Sequence, residues 1–169
     1  MDIASFLTNL TTNPSYQNQL VHREDIPAKT PVYCALGRPL DPRLQISLEN
    51  SGIDSFYSHQ AEAIDASRDG ANVIIATPSA SGKSLCYLVP VLDSLLSNKS
   101  SRALCLFPTK ALSQDQEDMI SGLLPKSGTP RHEIFDGDTP INLRGEIRRT
   151  SRLILSNPDM LHLGILPNH

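Results

Sequence analysis

The segment Ala76–Ser84 holds the residues best suited to chemistry in this chain. It reads Ala-Thr-Pro-Ser-Ala-Ser-Gly-Lys-Ser and ends in the Gly-Lys-Ser of a phosphate-binding loop. In such a loop, successive backbone N–H groups and the N-terminus of the following helix converge on a polyphosphate. Gly82 lets the backbone approach closely, Lys83 places an ammonium beside the β- and γ-phosphates, and Ser84 offers a hydroxyl to Mg²⁺. We therefore predict an ATP and Mg²⁺ site, with Lys83 and Ser84 as its catalytic residues.

The match to the general phosphate-loop pattern is incomplete, since that pattern has glycine where this chain has Thr77. A Gly-Lys-Ser tripeptide also suits a plain strand-to-helix turn with an exposed lysine. That alternative leaves the run of small residues before the lysine unexplained. We place four further residues among the predicted nucleotide contacts: Ser79, Ala80, Ser81 and Leu85.

Gln60 and Tyr57 precede the loop and are candidates for binding the base. A glutamine amide both donates and accepts hydrogen bonds, so Gln60 can pair with adenine N7 and the N6 amino group together. The ring of Tyr57 can lie against the base. The alternative is that Gln60 stands on the first turn of a capped helix and faces solvent.

Two junctions downstream of the loop are candidates for holding a nucleic-acid backbone. Each follows a short apolar run and precedes a helical pattern, so each is predicted at the edge where open α/β sheets bind ligands. Side chains and helix-start N–H groups there can hold phosphates. The alternatives are a solvated lysine after a proline turn and a plain helix cap. The predicted contacts are Pro108, Thr109, Lys110, Ser156 and Asn157.

Two further features carry a weaker indication of nucleic-acid binding. Gly137 stands in an Asp-Gly-Asp turn, where its N–H can approach a phosphate, although a simple turn explains the glycine equally well. A basic cluster can track a nucleic-acid backbone, although a solvated helix face explains it too. The cluster comprises Arg144, Arg148, Arg149 and Arg152.

Apolar runs that alternate with helical patterns predict an α/β domain with a parallel sheet covered on both faces. Ahead of the alternation, residues 2–11 suit a short helix. The predicted strands are Val73–Ala76, Ala103–Phe107, His132–Phe135 and Leu153–Ser156. The predicted helices are Lys83–Asn98, Lys110–Leu124, Ile141–Thr150 and Pro158–Ile165.

Capping residues predict two more helices ahead of the loop. Asp41 followed by Pro42 is typical of an N-cap and first helical residue. Ser58 is the predicted N-cap of a helix that runs to Arg68 and is ended by Gly70.

Composition indicates an ordinary intracellular globular protein. The chain has 169 residues, enough for one domain, and its net charge of −3 argues against a surface coated in basic residues. No secretory signal is visible, and the longest mostly apolar run, Leu85–Leu96, is too short to span a bilayer. We expect no membrane association and a location in the nucleus or cytoplasm. Three widely spaced cysteines, Cys34, Cys86 and Cys105, suit reduced core thiols rather than metal ligands.

These motifs, in this order, resemble the superfamily 2 helicases of the DEAD/DEAH-box type. Their phosphate loop has the usual form Ala-x-x-Thr-Gly-Ser-Gly-Lys-Thr, which also does not require glycine at the position of Thr77. Phe56–Ile64 resembles their Q motif, Phe107–Leu112 their motif Ia, and Ser156–His162 their motif Ib. The residues of these motifs are most similar to those of DNA-repair helicases related to the RecQ and YprA types, which carry a cysteine-rich C-terminal module.

The resemblance covers about residues 40–165 and implies a RecA-like P-loop NTPase domain. We expect an N-terminal extension over 1–39 and a partial helicase ATP-binding domain over 40–169. The resemblance implies single-stranded or duplex DNA as the partner, with RNA possible, and the rest of the motor beyond this chain. No Asp-Glu pair occurs in the sequence, although the family uses an Asp-Glu box to hold Mg²⁺ and orient the attacking water. We therefore expect these residues alone to bind ATP weakly at best and not to hydrolyse it.

Three functional hypotheses remain open from the sequence. The first is the ATP- and nucleic-acid-binding portion of an ATP-dependent DNA helicase. The second is a catalytically inactive helicase-like module that binds nucleic acid or a partner without ATP turnover. The third is another P-loop enzyme such as a small-molecule kinase, against which Thr77 and Gln60 argue.

Overall fold

The computed structural model of the chain describes residues 2–27, 30–78, 81–125 and 128–168. The chain forms two compact units, Met1–Pro31 and Val32–His169. The first unit contains helix α1 (Ile3–Thr11), which buries none of its own residues. The short helix predicted for residues 2–11 is therefore confirmed.

The second unit alternates short strands with helices. Its helices are α2 (Pro42–Asn50), α3 (Ser58–Arg68), α4 (Lys83–Ser97), α5 (Lys110–Leu123), α6 (Ile141–Thr150) and the single turn α7 (Pro158–Met160). Its strands are β1 (Tyr33–Cys34), β2 (Phe56–Tyr57), β3 (Ala103–Leu106), β4 (His132–Ile134) and β5 (Leu153–Ser156). Three strands and three helices predicted after the loop are confirmed to within one residue.

Strands β3, β5 and β4 form a parallel sheet in that order, with β5 at its centre. The carboxyl ends of these strands therefore meet at one edge, where the segments after each strand come together. A separate antiparallel pair, β1 with β2, joins Tyr33 to Tyr57 and Cys34 to Phe56. The predicted parallel α/β architecture is confirmed by this topology.

The segment ahead of the loop departs from the prediction. Val73–Ala76 was expected to be a buried strand, but it forms no ladder, and 96% of Ile74 is exposed. A strand is stable only where a neighbour satisfies its backbone groups, and no described strand pairs with this segment. Strand β3 lies at the sheet edge, with Leu104 and Leu106 exposed.

Helix ends follow their capping residues with one exception. The Asp41 carboxylate accepts from Arg43 N at 2.9 Å, so the predicted cap of α2 is confirmed. The predicted Ser58 cap is wrong by one residue, because Tyr57 takes the N-cap position and its N–H donates to the Gln60 side chain. Gly70 follows α3 with φ +84°, as a left-handed helix stop requires.

The predicted α-helix over Pro158–Ile165 is wrong beyond its first turn. After α7 the chain widens into a π-helical segment, Leu161–Ile165, and then a 3₁₀ turn, Leu166–Asn168. Gly164 lies here against Phe135, where an added Cβ would come within 2.9 Å of the ring. The Phe135 ring thus packs closely against the backbone of the π-helical segment at Gly164.

The core lies between the sheet and the helices on either side of it. Leucines from α2 and α4 pack with Ile120 of α5 and the central strand β5. Full burial of one such side chain stabilises the fold by about 1.5–3 kcal/mol. The fully buried members are Leu44, Ile64, Leu88, Val89, Leu92, Ile120, Leu153 and Leu155. Cys86 is also buried, but Cys34 is exposed on β1, so the expectation of a core thiol there is wrong.

A buried ion pair ties α3 to α4. Arg68 Nε lies 3.1 Å from Asp93 Oδ2, and each side chain is only 12% exposed. The second Asp93 oxygen accepts from Asp41 N at 2.7 Å, which joins the start of α2 to the same network. Arg68 also donates to the carbonyls of Arg38 and Pro39.

The predicted basic cluster is largely engaged with backbone carbonyls. Arg148 donates to Gly164 O at 2.7 Å, and Arg144 donates to Thr139 O at 3.0 Å. Arg152 donates to Leu95 O at 2.7 Å. These three guanidinium groups hold the ends of helices and turns together, while Arg149 is exposed on α6.

Within the described residues, no helix combines the length and apolar character needed to cross a bilayer.

Candidate functional site

The phosphate loop turns into α4 at Gly82, whose backbone conformation only glycine adopts readily. Gly82 is the N-cap of α4 with φ +75° and ψ 27°. A Cβ at this position would also stand 2.5 Å from Gln60 Nε2. Both the left-handed turn and the close approach of a neighbour therefore require glycine.

Lys83 folds back over the loop that precedes it. Its Nζ donates to Thr77 O at 2.8 Å and to Pro78 O at 2.6 Å. The hydroxyls of Thr77 and Ser81 lie 2.6 Å apart, and this hydrogen bond links the two ends of the loop. The ammonium is thus held by loop carbonyls in the region where the motif places phosphates.

Two consecutive side chains of α3 hold two consecutive carbonyls of the loop. His59 Nε2 lies 3.1 Å from Ser81 O, and Gln60 Nε2 donates to Gly82 O at 2.9 Å. Gln60 Oε1 accepts from Tyr57 N at 2.9 Å, and Gln60 is only 2% exposed. The sequence left open whether Gln60 faces solvent, and the structure places it in the interior, against the loop.

Three rings stack beside the loop. Tyr33 and Tyr57 lie 5.1 Å apart between ring centroids at 16°, and Tyr57 and His59 lie 5.9 Å apart at 9°. Both tyrosines keep an exposed fraction, 52% for Tyr33 and 38% for Tyr57. Sequence reasoning selected Tyr57 alone, because the β1–β2 pairing that brings Tyr33 to it has no local sequence signal.

Ser84 stands in the first turn of α4, three residues before Tyr87. Burial raises the pKa of the Tyr87 phenol, and a hydrogen bond with Ser84 acts to lower it. The Tyr87 hydroxyl donates to Gln116 Oε1 of α5 at 2.5 Å, and its ring lies 6.3 Å from that of Phe107. Sequence reasoning missed Tyr87, although its helical spacing from Ser84 would have placed the two on one face.

The nucleic-acid candidates gather at the carboxyl edge of the sheet. Thr109 caps α5, where its Oγ1 accepts from Leu112 N at 3.2 Å. Asn157 caps α7, where its Oδ1 accepts from Met160 N at 2.9 Å. Pro108 precedes the first of these caps. The candidates from β3 and β5 therefore share one edge, as predicted from their positions after parallel strands.

Ser156 is placed differently from its neighbour Asn157. Its hydroxyl donates to Phe135 O at 2.6 Å, and the residue is 1% exposed. As placed, the side chain links the ends of β5 and β4 inside the protein. Asn157, which is half-buried, is the member of this pair that faces the edge.

Lys110, the first residue of α5, pairs with a carboxylate from the turn after β4. Its Nζ lies 2.5 Å from Asp138 Oδ2. The hydrogen bond that Lys110 donates to Asp138 raises the pKa of Lys110, and Asp136 adds to this effect. A Cβ at Gly137 would lie 3.8 Å from the same Nζ, so the predicted glycine and lysine do meet.

The structure thus brings the predicted residues into two groups. The first is the loop with Ser81, Gly82, Lys83, Ser84 and Leu85, against Gln60 and Tyr57. The second is the sheet edge with Thr109, Lys110, Gly137 and Asn157. Ser79 and Ala80 lie outside the described residues, and the roles assigned to all of these residues remain predictions.

Comparison with known proteins identifies the family that this chain matches. The DEAD/DEAH box helicase family matches residues 57–169. The chain is 42% identical to the ATP-dependent helicase hrq1 of Schizosaccharomyces pombe over 172 residues, 98% of this chain and 16% of that protein. It is 36% identical to the uncharacterised ATP-dependent helicase YprA of Bacillus subtilis over 164 residues, 96% of this chain and 22% of that protein.

Among solved structures, the DUF1998 helicase MrfA bound to DNA and AMPPNP matches with a TM-score of 0.83. The identity is 34%, and the match covers 100% of this chain and 23% of that one. The chain therefore spans less than a quarter of the length of each of these relatives. The resemblance to YprA-type helicases and the RecA-like fold, both expected from the motifs, are confirmed.

Proposed function

The chain belongs to the DEAD/DEAH-box helicase family, and on that premise we propose that it is the ATP- and nucleic-acid-binding portion of an ATP-dependent DNA helicase. ATP binds at the loop that ends in Gly82 and Lys83. A DNA strand binds along the sheet edge that carries Lys110 and Asn157. Hydrolysis and movement along the strand belong to the longer protein that such relatives form.

The observation that carries this proposal is the position of Lys83. Its ammonium is held by two carbonyls of the loop itself, at 2.6 and 2.8 Å. A lysine whose partners are neutral carbonyls gains by exchanging them for phosphate oxygens, because the ammonium then bonds an acceptor of opposite charge. Gly82 and the N-terminus of the fifteen-residue α4 add backbone N–H groups to the same place.

The residues fit Mg²⁺ and adenine as well as phosphate. Ser84 provides a hydroxyl in the first turn of α4, where it would bind Mg²⁺ carried by the nucleotide. Mg²⁺ would neutralise charge on the phosphates that Lys83 also contacts. Gln60 reaches adenine only after its amide leaves Gly82 O and Tyr57 N. Nucleotide binding would therefore change how α3 holds the loop.

The sheet edge supports the nucleic-acid half of the proposal. Lys110 and Thr109 at the start of α5, and Asn157 at the start of α7, present an ammonium and two helix N-termini to one side of the sheet. Such groups hold phosphates without reading sequence. The MrfA relative is described as bound to DNA and AMPPNP, which favours DNA over RNA as the partner proposed for this chain.

Nucleotide binding by the Lys83→Ala variant tests the ATP site. The probe is a fluorescent ATP analogue with Mg²⁺, and Lys99→Ala is the control, because it removes an equal charge from an exposed turn. We expect Lys83→Ala to weaken binding about tenfold or more, since it removes charged hydrogen bonds to phosphate. Lys99→Ala is expected to bind as the unaltered chain does. Unchanged binding by Lys83→Ala would remove the ATP-site proposal.

A second measurement separates the motor portion from an inactive binding module. Binding of a labelled single-stranded oligodeoxynucleotide is measured by fluorescence anisotropy with and without the ATP analogue AMPPNP. A motor portion predicts that AMPPNP changes the affinity for DNA. An affinity that is the same in both conditions would instead support the module that binds without using ATP.

A further inference from the structure

The ion pair between Lys110 and Asp138 lies within the proposed DNA-binding edge. The two atoms Nζ and Oδ2 are 2.5 Å apart. The Lys110 side chain is 51% exposed and the Asp138 side chain 79% exposed, so both remain open to a ligand. The pair joins elements far apart in sequence, since Lys110 begins α5 and Asp138 stands in the turn between β4 and α6.

The turn that carries Asp138 is held in a defined shape. Asp138 N donates to Asp136 Oδ1 at 2.9 Å, and Asp136 N donates to Thr139 Oγ1 at 2.9 Å. Arg144 donates to Thr139 O at 3.0 Å and lies 6.0 Å above the ring of the buried Phe135. The carboxylate is therefore delivered to Lys110 by a preorganised turn and not by a free loop.

The carboxylate uses the chemistry by which a phosphate would bind Lys110. Each offers the ammonium an anionic oxygen acceptor, so a bond to one partner leaves fewer of the three N–H donors for the other. The edge is formed by the segments after β3, β5 and β4, and Asp138 comes from the β4 side. A DNA strand that lies along this edge thus meets a Lys110 ammonium that already donates to Asp138.

We propose that Asp138 is a built-in competitor that holds Lys110 and sets the affinity of this edge for the DNA backbone. The inference rests on the proposed function, in which Lys110 contacts a strand phosphate. A strand phosphate competes with Asp138 for the ammonium when that contact forms. Removal of the carboxylate's charge then strengthens binding through Lys110.

The competition differs from plain charge repulsion between Asp138 and DNA. Repulsion acts on the strand directly and does not depend on residue 110. Competition acts only through the ammonium, so its effect disappears when the lysine is absent. Asp136, which also influences Lys110 electrostatically, stays in place in every variant below and cancels from the comparison.

The test is a double-mutant cycle of Asp138→Asn and Lys110→Gln. Affinity for a fluorescein-labelled oligodeoxythymidine is measured by anisotropy at low salt, with the 169-residue chain. Asp138→Asn keeps the backbone N–H that bonds Asp136 and removes only the charge. Asp115→Asn, on the exposed side of α5, is the control for removing one acidic charge near Lys110.

We expect Asp138→Asn to tighten binding about two- to fivefold when Lys110 is present, the range set by an exposed ion pair. In the Lys110→Gln background it should have no effect beyond that of Asp115→Asn. Equal tightening in both backgrounds, or none in either, would overturn the inference and leave the proposed DNA contact standing. Unchanged binding by Lys110→Gln alone would instead remove the DNA contact of Lys110, and the inference with it.

Discussion

Replacement of Gly82 by alanine tests the geometry of the loop most directly. The backbone at this position has φ +75°, where a side chain costs about 1–2 kcal/mol. The new Cβ would also lie 2.5 Å from Gln60 Nε2, closer than non-bonded atoms approach. Gln60 must move, and its amide then loses the 2.9 Å hydrogen bond to Gly82 O.

The expected loss of stability follows from these two contributions. Gln60 is 2% exposed, so an amide left without its partner costs about 1–3 kcal/mol. Together with the backbone strain, Gly82→Ala should lower the free energy of unfolding by about 2–5 kcal/mol. The measurement is urea denaturation followed by circular dichroism. The same variant should bind the fluorescent ATP analogue more weakly, because the loop backbone has shifted.

Two comparisons make this prediction refutable. Gly145→Ala is the matched control, since no heavy atom lies within 4 Å of the added Cβ in the interior of α6. It should stabilise the chain by about 0.5–1 kcal/mol through helix propensity. In a Gln60→Ala background, Gly82→Ala should cost only the strain, about 1–2 kcal/mol. An identical cost with and without Gln60, or no cost at all, would refute the reasoning.

Two other outcomes are expected. Asp93→Asn removes the nearer carboxylate of Arg68 at a site where both side chains are 12% exposed and leaves only Asp65 at 3.9 Å, so the free energy of unfolding should fall by about 3 kcal/mol; a urea midpoint equal to that of the unaltered chain would contradict this. Burial raises the pKa of Cys105 to about 11, and Cys86 is buried while Cys34 is exposed. A thiol reagent at pH 8 should therefore label Cys34 alone until the protein is unfolded, and mass spectrometry of the labelled peptides would expose labelling at Cys105 as a failure.

Local signals in the sequence determined most of the elements. Helix α2 begins where Asp41 and Pro42 place it, because an N-cap and a first-turn proline act within a few residues. The strands β3 and β5 follow from short apolar runs, and β4 follows from its place between two helical patterns. The same locality let the order of motifs indicate the family, which residues 57–169 match.

The segment Val73–Ala76 shows that local sequence signals do not predict every element. Its apolar composition predicts a strand, yet a strand depends on hydrogen bonds from a neighbour that its own residues do not specify. No described strand pairs with it, and it stays outside regular structure with Val73, Ile74 and Ala76 exposed. The π-helical segment Leu161–Ile165 is another case, since its form accompanies the close contact of Gly164 with Phe135.

The candidate site also combines features that the sequence predicts with contacts that only the tertiary structure shows. The sequence by itself determined that Gly82, Lys83 and Ser84 stand together where the loop meets α4, because neighbours in the chain are neighbours in space. Only the tertiary structure decided that Gln60 holds Gly82 O, and that Lys110 meets Asp138 at 2.5 Å. Contacts of this kind join residues that are 22 and 28 positions apart. They exist because packing of the helices and the order of the strands bring separate elements to one place, which no local pattern records.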